Sequence, residues 1–412
     1  MTEWIEKKIS ELGTVVGGAT PSTKDEQNYI DGSIPWITPK DLAGFRGRYI
    51  SRGERSITHK GLASCSAQMM PKHSVLFTSR APIGYVAISA NPVCTNQGFK
   101  SVVPNENTDY LFLYYLLKFY KDKIEALGSG TTFKEVSGTT MKNIVVRVPK
   151  EKEKQREIGL ILSSIDDKIE ANEKINHNLQ QQIQALVSAW FCTFEPFGGA
   201  TPDNWSTRNL SDIADFIGGY AYKGNELVES TTAMATIKNF ERSGGFKLDG
   251  FKEIQPSNKL KSTQHLELYD ILVAHTDLTQ NAEVIGNAEM VMSLSKYSDA
   301  IFSMDLVKVV PKQGGVSRFL LAALLQNRVF KAHCLGYVNG TTVLHLSKKA
   351  LPEYELLLPN DLSELSPIDE AITALYLQIS ANIEEISQLQ SLRDTLLPRL
   401  MSGEIDVSDV EV

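Results

Sequence analysis

A chain of 412 residues with 42% hydrophobic and 22% charged side chains has room for two to four domains, each with its own core. It has no run of 18 apolar residues, so no membrane span is expected. Its four cysteines (Cys65, Cys94, Cys192, Cys334) form no C-x-x-C pair, which argues against a zinc site and for a reducing compartment, the cytoplasm. The net charge of −7 counts against a uniformly basic nucleic-acid binder.

The N-terminal Met1-Thr2-Glu3-Trp4-Ile5-Glu6-Lys7-Lys8 lacks the basic-then-apolar order of a signal peptide. Short β-like runs bounded by turn residues follow: Ile34-Pro35-Trp36-Ile37, Ser74-Val75-Leu76-Phe77, Tyr85-Val86-Ala87-Ile88 and Asn143 to Val148. Between them, Asp109 to Leu127 reads as a helix capped by Thr108 or Asp109 and ended by Gly128.

The same plan then recurs. Trp4, Ile9, Leu12, Gly17 and Gly18 reappear as Trp205, Leu210, Ile213, Gly218 and Gly219, 201 residues on; Gly130-Thr131-Thr132 and Pro149 reappear as Gly340-Thr341-Thr342 and Pro359, 210 residues on. Asp270 to Ala274, Leu306 to Val310 and Glu355 to Leu358 are the matching strands, and Ser317 to His333 the matching helix. The offset drifts because the loops differ in length, as expected where loops carry specificity. The Gly-Thr-Thr pairs suit structural turns, with a DNA clamp as the alternative.

Each proline precedes a heptad-patterned helix. In the first, the steps alternate 4 and 3 through Ile158, Leu162, Ile165, Ile169, Asn172, Asn176, Leu179, Ile183, Leu186 and Trp190, which is a coiled-coil seam. Adding 210 gives Ile368, Ile372, Leu375, Ile379, Asn382, Ile386, Leu389, Arg393, Leu396 and Leu400. The seam is about 48 Å long at 1.5 Å per residue. Laid antiparallel about a pseudo-twofold, opposed positions sum to 558, and Asn176 faces Asn382. Such a pair fixes register at some expense of stability; the alternative is that both asparagines face water.

The fold class expected is α+β: two repeated mixed domains separated by two long antiparallel coiled-coil helices. The divisions are 1–150, a spacer helix over 151–195, 196–360, a second spacer helix over 361–405, and an acidic tail over 406–412. Two heads on a spacer suit a long linear partner read at two places.

The charge is unevenly spread. Between Lys40 and Arg80, eight basic residues meet only Asp41 and Glu54, a local charge of +6; from Lys238 to Lys261, six basic residues meet three acidic ones, a local charge of +3. Basic stretches at equivalent places attract phosphate whatever the total, although charge runs can also be merely solvated faces. Base-edge readers and phosphate anchors of the right chemistry are Thr38, Lys40, Arg46, Arg48, Arg52, Arg55, Thr78, Ser79 and Arg80 in the first half. In the second they are Lys238, Asn239, Arg242, Lys252, Lys259, Lys261, His275 and Thr276.

Catalytic signatures are missing. Gly128-Ser129-Gly130-Thr131-Thr132 lacks the G-K-[ST] ending of a phosphate loop, and neither H-E-x-x-H nor G-x-S-x-G occurs. Asn91-Pro92-Val93-Cys94 only partly echoes an adenine-methyltransferase clamp and reads as a turn. The chain therefore reads as a recognition or scaffold subunit without an active site or metal of its own. A peptide-binding scaffold and a stand-alone nuclease are the competing classes; salt-sensitive duplex binding, or metal-dependent cleavage, would separate them.

The chain resembles the DNA-specificity subunits of type I restriction–modification systems over essentially residues 1–407. The resemblance is carried by Ile34 to Leu42 (IPWITPKDL), Asn96-Gln97-Gly98-Phe99, the junction from Val148-Pro149 through Glu153-Lys154-Gln155-Arg156-Glu157-Ile158, and the ending from Leu392 to Ile405. It departs at the second junction, Pro359 to Pro367, and at Met234-Ala235-Thr236-Ile237, the degraded match to Ile-Pro-Trp-Ile. The resemblance implies two target-recognition domains, each reading one half of a bipartite asymmetric site on double-stranded DNA, and helices acting as a ruler. It also implies docking of two modification (methyltransferase) subunits that bring AdoMet, and of restriction motor–nuclease subunits.

Overall fold

The computed structural model describes residues 2–130, 134–242, 244–279 and 281–407. They form two compact units, residues 1–170 with 388–412, and residues 171–387. Each unit is one globule plus one half of each long helix. Each half-helix buries an apolar face on its globule.

In the first unit, strand Trp4–Lys8 pairs antiparallel with Val145–Pro149, placing Trp4 opposite Pro149. A five-stranded sheet follows in the order Gly13–Gly17, Lys100–Pro104, Val75–Ser79, Ile83–Ser89, Tyr49–Ile50. A smaller sheet places Ile34–Ile37 between Ser56–Ile57 and Cys94–Thr95, with Ile37 parallel to Thr95. The helix expected over 109–127 forms as Tyr110–Phe119 and Lys121–Ala126. Asp109 caps it by accepting the Phe112 N–H at 2.9 Å. Hydrogen bonding carries on through the bend at Tyr120, whose N–H donates to Leu116 and whose carbonyl accepts from Ile124. Phe77, Phe112, Tyr115, Val148, Ile158, Leu162 and Leu400 share one core.

The second unit repeats the frame. Trp205–Asn209 pairs with Glu355–Pro359 in the same register, Trp205 opposite Pro359. A four-stranded sheet runs Ala214–Gly218, Leu306–Pro311, Ile271–Ala274, Ala288–Met290. Thr232–Ala235 lies parallel to Asp299–Phe302, with Ala235 beside Phe302. Here the expected helix from Ser317 to His333 is broken into Arg318–Leu325 and Arg328–Leu335. Asn327 leaves helical geometry and caps the second piece, its side chain accepting the Phe330 N–H at 2.8 Å. That competing local bond is why one apolar pattern yields two helices.

The second glycine of each repeated pair has the same use in both units. A Cβ on Gly18 would lie 2.0 Å from the Asn96 carbonyl oxygen, and one on Gly219 would lie 2.0 Å from that of Ser303. Only glycine lets these chains pass so closely. Gly340, at φ +111°, turns a hairpin between Val338–Asn339 and Leu344–Leu346. Its counterpart Gly130 lies between Ser129 and Glu135, which bridge; Thr131 and Thr132 are outside the described residues.

The long helices are Lys152–Phe191 and Ser366–Ser402. Every seam position named above is buried or half-buried. In the second unit the Asn382 side-chain amide donates to Asn176 Oδ1 at 2.7 Å, and that of Asn172 donates to Glu385 at 2.7 Å. The antiparallel register summing to 558 is therefore the one adopted. In the first unit, Arg393 fills an otherwise apolar slot by donating to Asp166 at 2.9 Å. Ile161, Val187 and Tyr376, off the seam, are buried because they face the globules.

Candidate nucleic-acid interface

In the first globule the basic stretch is organised by a capped turn. Thr38 ends the Ile34–Ile37 strand and caps the one-turn helix Pro39–Leu42. Asp41 accepts from the Thr38 N–H and hydroxyl and from the Glu54 N–H, each at 2.7 Å. That single carboxylate holds the Lys40 turn against the loop bearing Arg52 and Arg55. Gly53 is needed there, since a Cβ would meet Asp41 and the Trp36 carbonyl within 2.8 Å. Lys40 is exposed and pairs with Glu54 at 2.6 Å. Arg46 is exposed too, and so is Arg52, which has no ion-pair partner among the described residues. Arg55 stacks 4.2 Å over Tyr29. Arg80 is half-buried and shares Glu135 with Lys100, both at 3.3 Å.

Three of the first-half candidates lie inside the protein. Arg48 is 3% exposed and donates to Glu170, to the Ser163 carbonyl and to Asp167. The Thr78 hydroxyl donates to the Pro82 carbonyl at 2.8 Å and that of Ser79 to Gly98 at 3.2 Å, both fully buried. These side chains are committed to internal partners and do not reach a ligand on the surface.

The second globule carries an equivalent turn. Thr236 accepts the Lys238 N–H, and Asn239 returns the bond by accepting the Thr236 N–H at 2.9 Å. This is the Thr38–Asp41 arrangement shifted by 198 residues. Trp36-Ile37-Thr38 therefore corresponds to Met234-Ala235-Thr236, two residues away from the pairing of Ile34–Ile37 with Met234–Ile237 expected from sequence. Asn239 is buried and its amide donates to the Lys247 carbonyl, so it braces the loop rather than facing out. Lys238 and Arg242 are exposed on that loop, and Arg242 pairs with Glu283 at 2.9 Å. Lys252 is half-buried, 5.8 Å over Tyr222, while Lys259 and Lys261 are exposed on the next loop. Thr276 is buried and donates to Asp305 at 2.9 Å. His275 is half-buried, and burial, aided by nearby His345 and Lys348, holds it below its ordinary value and favours the neutral ring.

Two supporting groups lie outside the side chains that the sequence offers as DNA contacts. Gln97 and Thr20 are exposed and hydrogen-bonded to each other beside the Gly18 crossing. Glu289 lies beneath the second basic loop, accepting the Gly245 N–H at 2.7 Å and the Gln326 amide at 3.2 Å. Burial pushes its carboxyl up to about 7, reinforced by Glu241 and opposed by those two bonds. Gln97 stands in the Asn96-Gln97-Gly98-Phe99 stretch that carries the family resemblance, whereas no sequence motif marks Glu289. Among the described residues there is no cluster of three or more His, Cys, Asp or Glu fit to hold a metal, and no helix is long and apolar enough to cross a membrane.

Comparison with known proteins agrees with this architecture. Residues 1–181 match the family described as the type I restriction modification DNA specificity domain. The MjaIX specificity subunit of a type I restriction enzyme from Methanocaldococcus jannaschii is 32% identical over 99% of this chain and 95% of its own length. The EcoR124I/EcoR124II specificity subunit from Escherichia coli is 30% identical over 39% of this chain and 40% of its own. In fold, the S subunit of a type I restriction–modification system from M. genitalium superposes with a TM-score of 0.58 at 17% identity, covering 97% of this chain and 96% of that one. With its doubled frame, its paired helices and a full-length relative at this identity, the chain belongs to the specificity subunits of type I restriction–modification systems.

Proposed function

We propose that each globule reads one half of a bipartite, asymmetric site on double-stranded DNA, and that the paired long helices set the gap between the halves. The observation that carries this reading is the repeated threonine-capped turn. In both globules it follows a parallel-paired strand and lifts lysine and arginine into solvent at the same place in the frame. This reading assigns phosphates and base edges to Lys40, Arg46, Arg52, Arg55 and Arg80 in the first globule, and to Lys238, Arg242, Lys252, Lys259 and Lys261 in the second.

The chain contributes recognition and no reaction. In the cytoplasm it docks two modification subunits, which supply AdoMet and methylate adenine, and restriction motor–nuclease subunits join the same complex. The four expected segments (1–150, 151–195, 196–360 and 361–405) then serve as reader, spacer, reader and spacer.

Mapping methylated adenines in cells that carry this chain with its modification subunits tests the reading. The expected result is one two-part motif with a constant gap. Removing one heptad from both long helices should keep both half-motifs and shorten the gap, or abolish assembly; a changed half-motif with the old gap would refute the ruler.

A further inference from the structure

Arg48 sits in the middle of the first globule's basic segment, yet its guanidinium points inward. Its Nε donates to Glu170 Oε1 at 3.1 Å, Nη1 donates to the Ser163 carbonyl at 3.2 Å, and Nη2 donates to Asp167, all on the first long helix. Its own carbonyl accepts the Ile88 N–H at 2.7 Å, so the same residue ties the segment to the main sheet. Exposed Arg46 precedes it by two residues and exposed Arg52 follows by four. The planar fork spends its donors on three separate acceptors, a pattern that an ammonium on a flexible stem does not reproduce.

The second globule solves the same problem with other groups. There the basic loop is tied through the Gly245 N–H to Glu289, from Glu289 to Gln326, and from Gln326 to the Tyr376 hydroxyl on the second long helix, the last bond at 2.6 Å. Position 376 lies 210 residues beyond 166, next to Asp167. Each basic segment is therefore moored at the same level of a long helix.

We propose that Arg48 is a positioning residue for DNA reading: it holds the Arg46–Arg55 segment in register with the first long helix and makes no DNA contact itself. The assignment rests on the reading of the globules as DNA-recognition units. It makes the discrimination of one half-site depend on a buried contact between globule and helix.

The test uses the full chain with its modification subunits, and duplexes carrying the mapped site intact or altered in one half. Arg48→Lys should lower discrimination for one half-site about tenfold, the scale of one lost charge-assisted hydrogen bond. It should leave discrimination at the other half and the slope of log affinity against log salt unchanged. Asp167→Asn, at a largely exposed partner, should do the same more weakly and decides the question if Arg48→Lys does not fold. In Arg48→Gln, which removes the cation, a salt slope lower by about one would mean that Arg48 touches a phosphate, and would overturn the proposal. So would folded variants whose discrimination equals wild type. A wild-type complex that fails to discriminate would instead sink the DNA reading itself, and this assignment with it.

Discussion

Where the two globules meet the long helices, equal positions carry unequal chemistry. In the first unit, Asp166 receives the Tyr115 hydroxyl at 2.6 Å and Arg393 at 2.9 Å, and its neighbours Asp167 and Glu170 receive Arg48. In the second, the equivalent of Asp166 is Tyr376, which donates to Gln326 and thence to a single buried carboxyl, Glu289. The first mooring is a network of formal charges; the second is a neutral chain ending in a titratable group. A frame duplicated in register thus need not duplicate its polar contacts, because each buried donor needs only some acceptor within reach.

The contrast can be broken by substitution, starting with its most costly member. Asp166→Ala strands the buried Tyr115 hydroxyl and leaves the half-buried Arg393 guanidinium only its pairing with exposed Asp394, and should cost about 3 kcal/mol. Tyr376→Phe, at the matching position, removes one neutral hydrogen bond and should cost about 1 kcal/mol. Hydrogen exchange of the Leu111–Leu117 and Leu320–Leu325 amides reports the two units separately; equal losses would erase the distinction.

Next in size is a pH effect confined to the second unit. Glu289 titrates near 7 in the folded protein, above the ordinary glutamate value of 4.5. The folded state therefore binds the extra proton between those values. Stability that is present below about 4.5 is lost as pH rises through 7, on the order of 3 kcal/mol in all. Amides of the second unit should exchange more readily at pH 8 than at pH 5 after correction for intrinsic rates, and Glu289→Gln should remove the difference. A dependence that survives the substitution would place the titrating group elsewhere.

The smallest expected change has the opposite sign. Replacing both Asn176 and Asn382 by leucine should raise the stability of the second unit by about 1 kcal/mol, since a polar pair in an apolar seam favours register over stability. A lower midpoint in urea would show that the pair is a net stabiliser.

Much of this molecule is legible in its sequence. The 4–3 spacing of apolar residues exposed both seams, and adding the sum rule led to Asn176 facing Asn382. Trp4 with Pro149 and Trp205 with Pro359 marked the same strand pair twice. Matching apolar letters sets the second basic turn two residues off, because it gives weight to Ile237, whereas the turn is defined by the caps at Thr236 and Asn239. The site was less legible than the fold. Arg48, Thr78, Ser79, Asn239 and Thr276 have the chemistry of base readers but are spent inside, and residue type alone carries no information on burial.

Local order and repetition were written in the sequence by itself: helix periodicity, capping residues, glycine crossings and the two-copy plan all arise from near neighbours along the chain or from direct self-similarity. Which cations face outward was decided only by the tertiary structure. Whether an arginine is solvated or locked to a helix more than a hundred residues away depends on which carboxylates the folded chain brings beside it, and no local spacing encodes that.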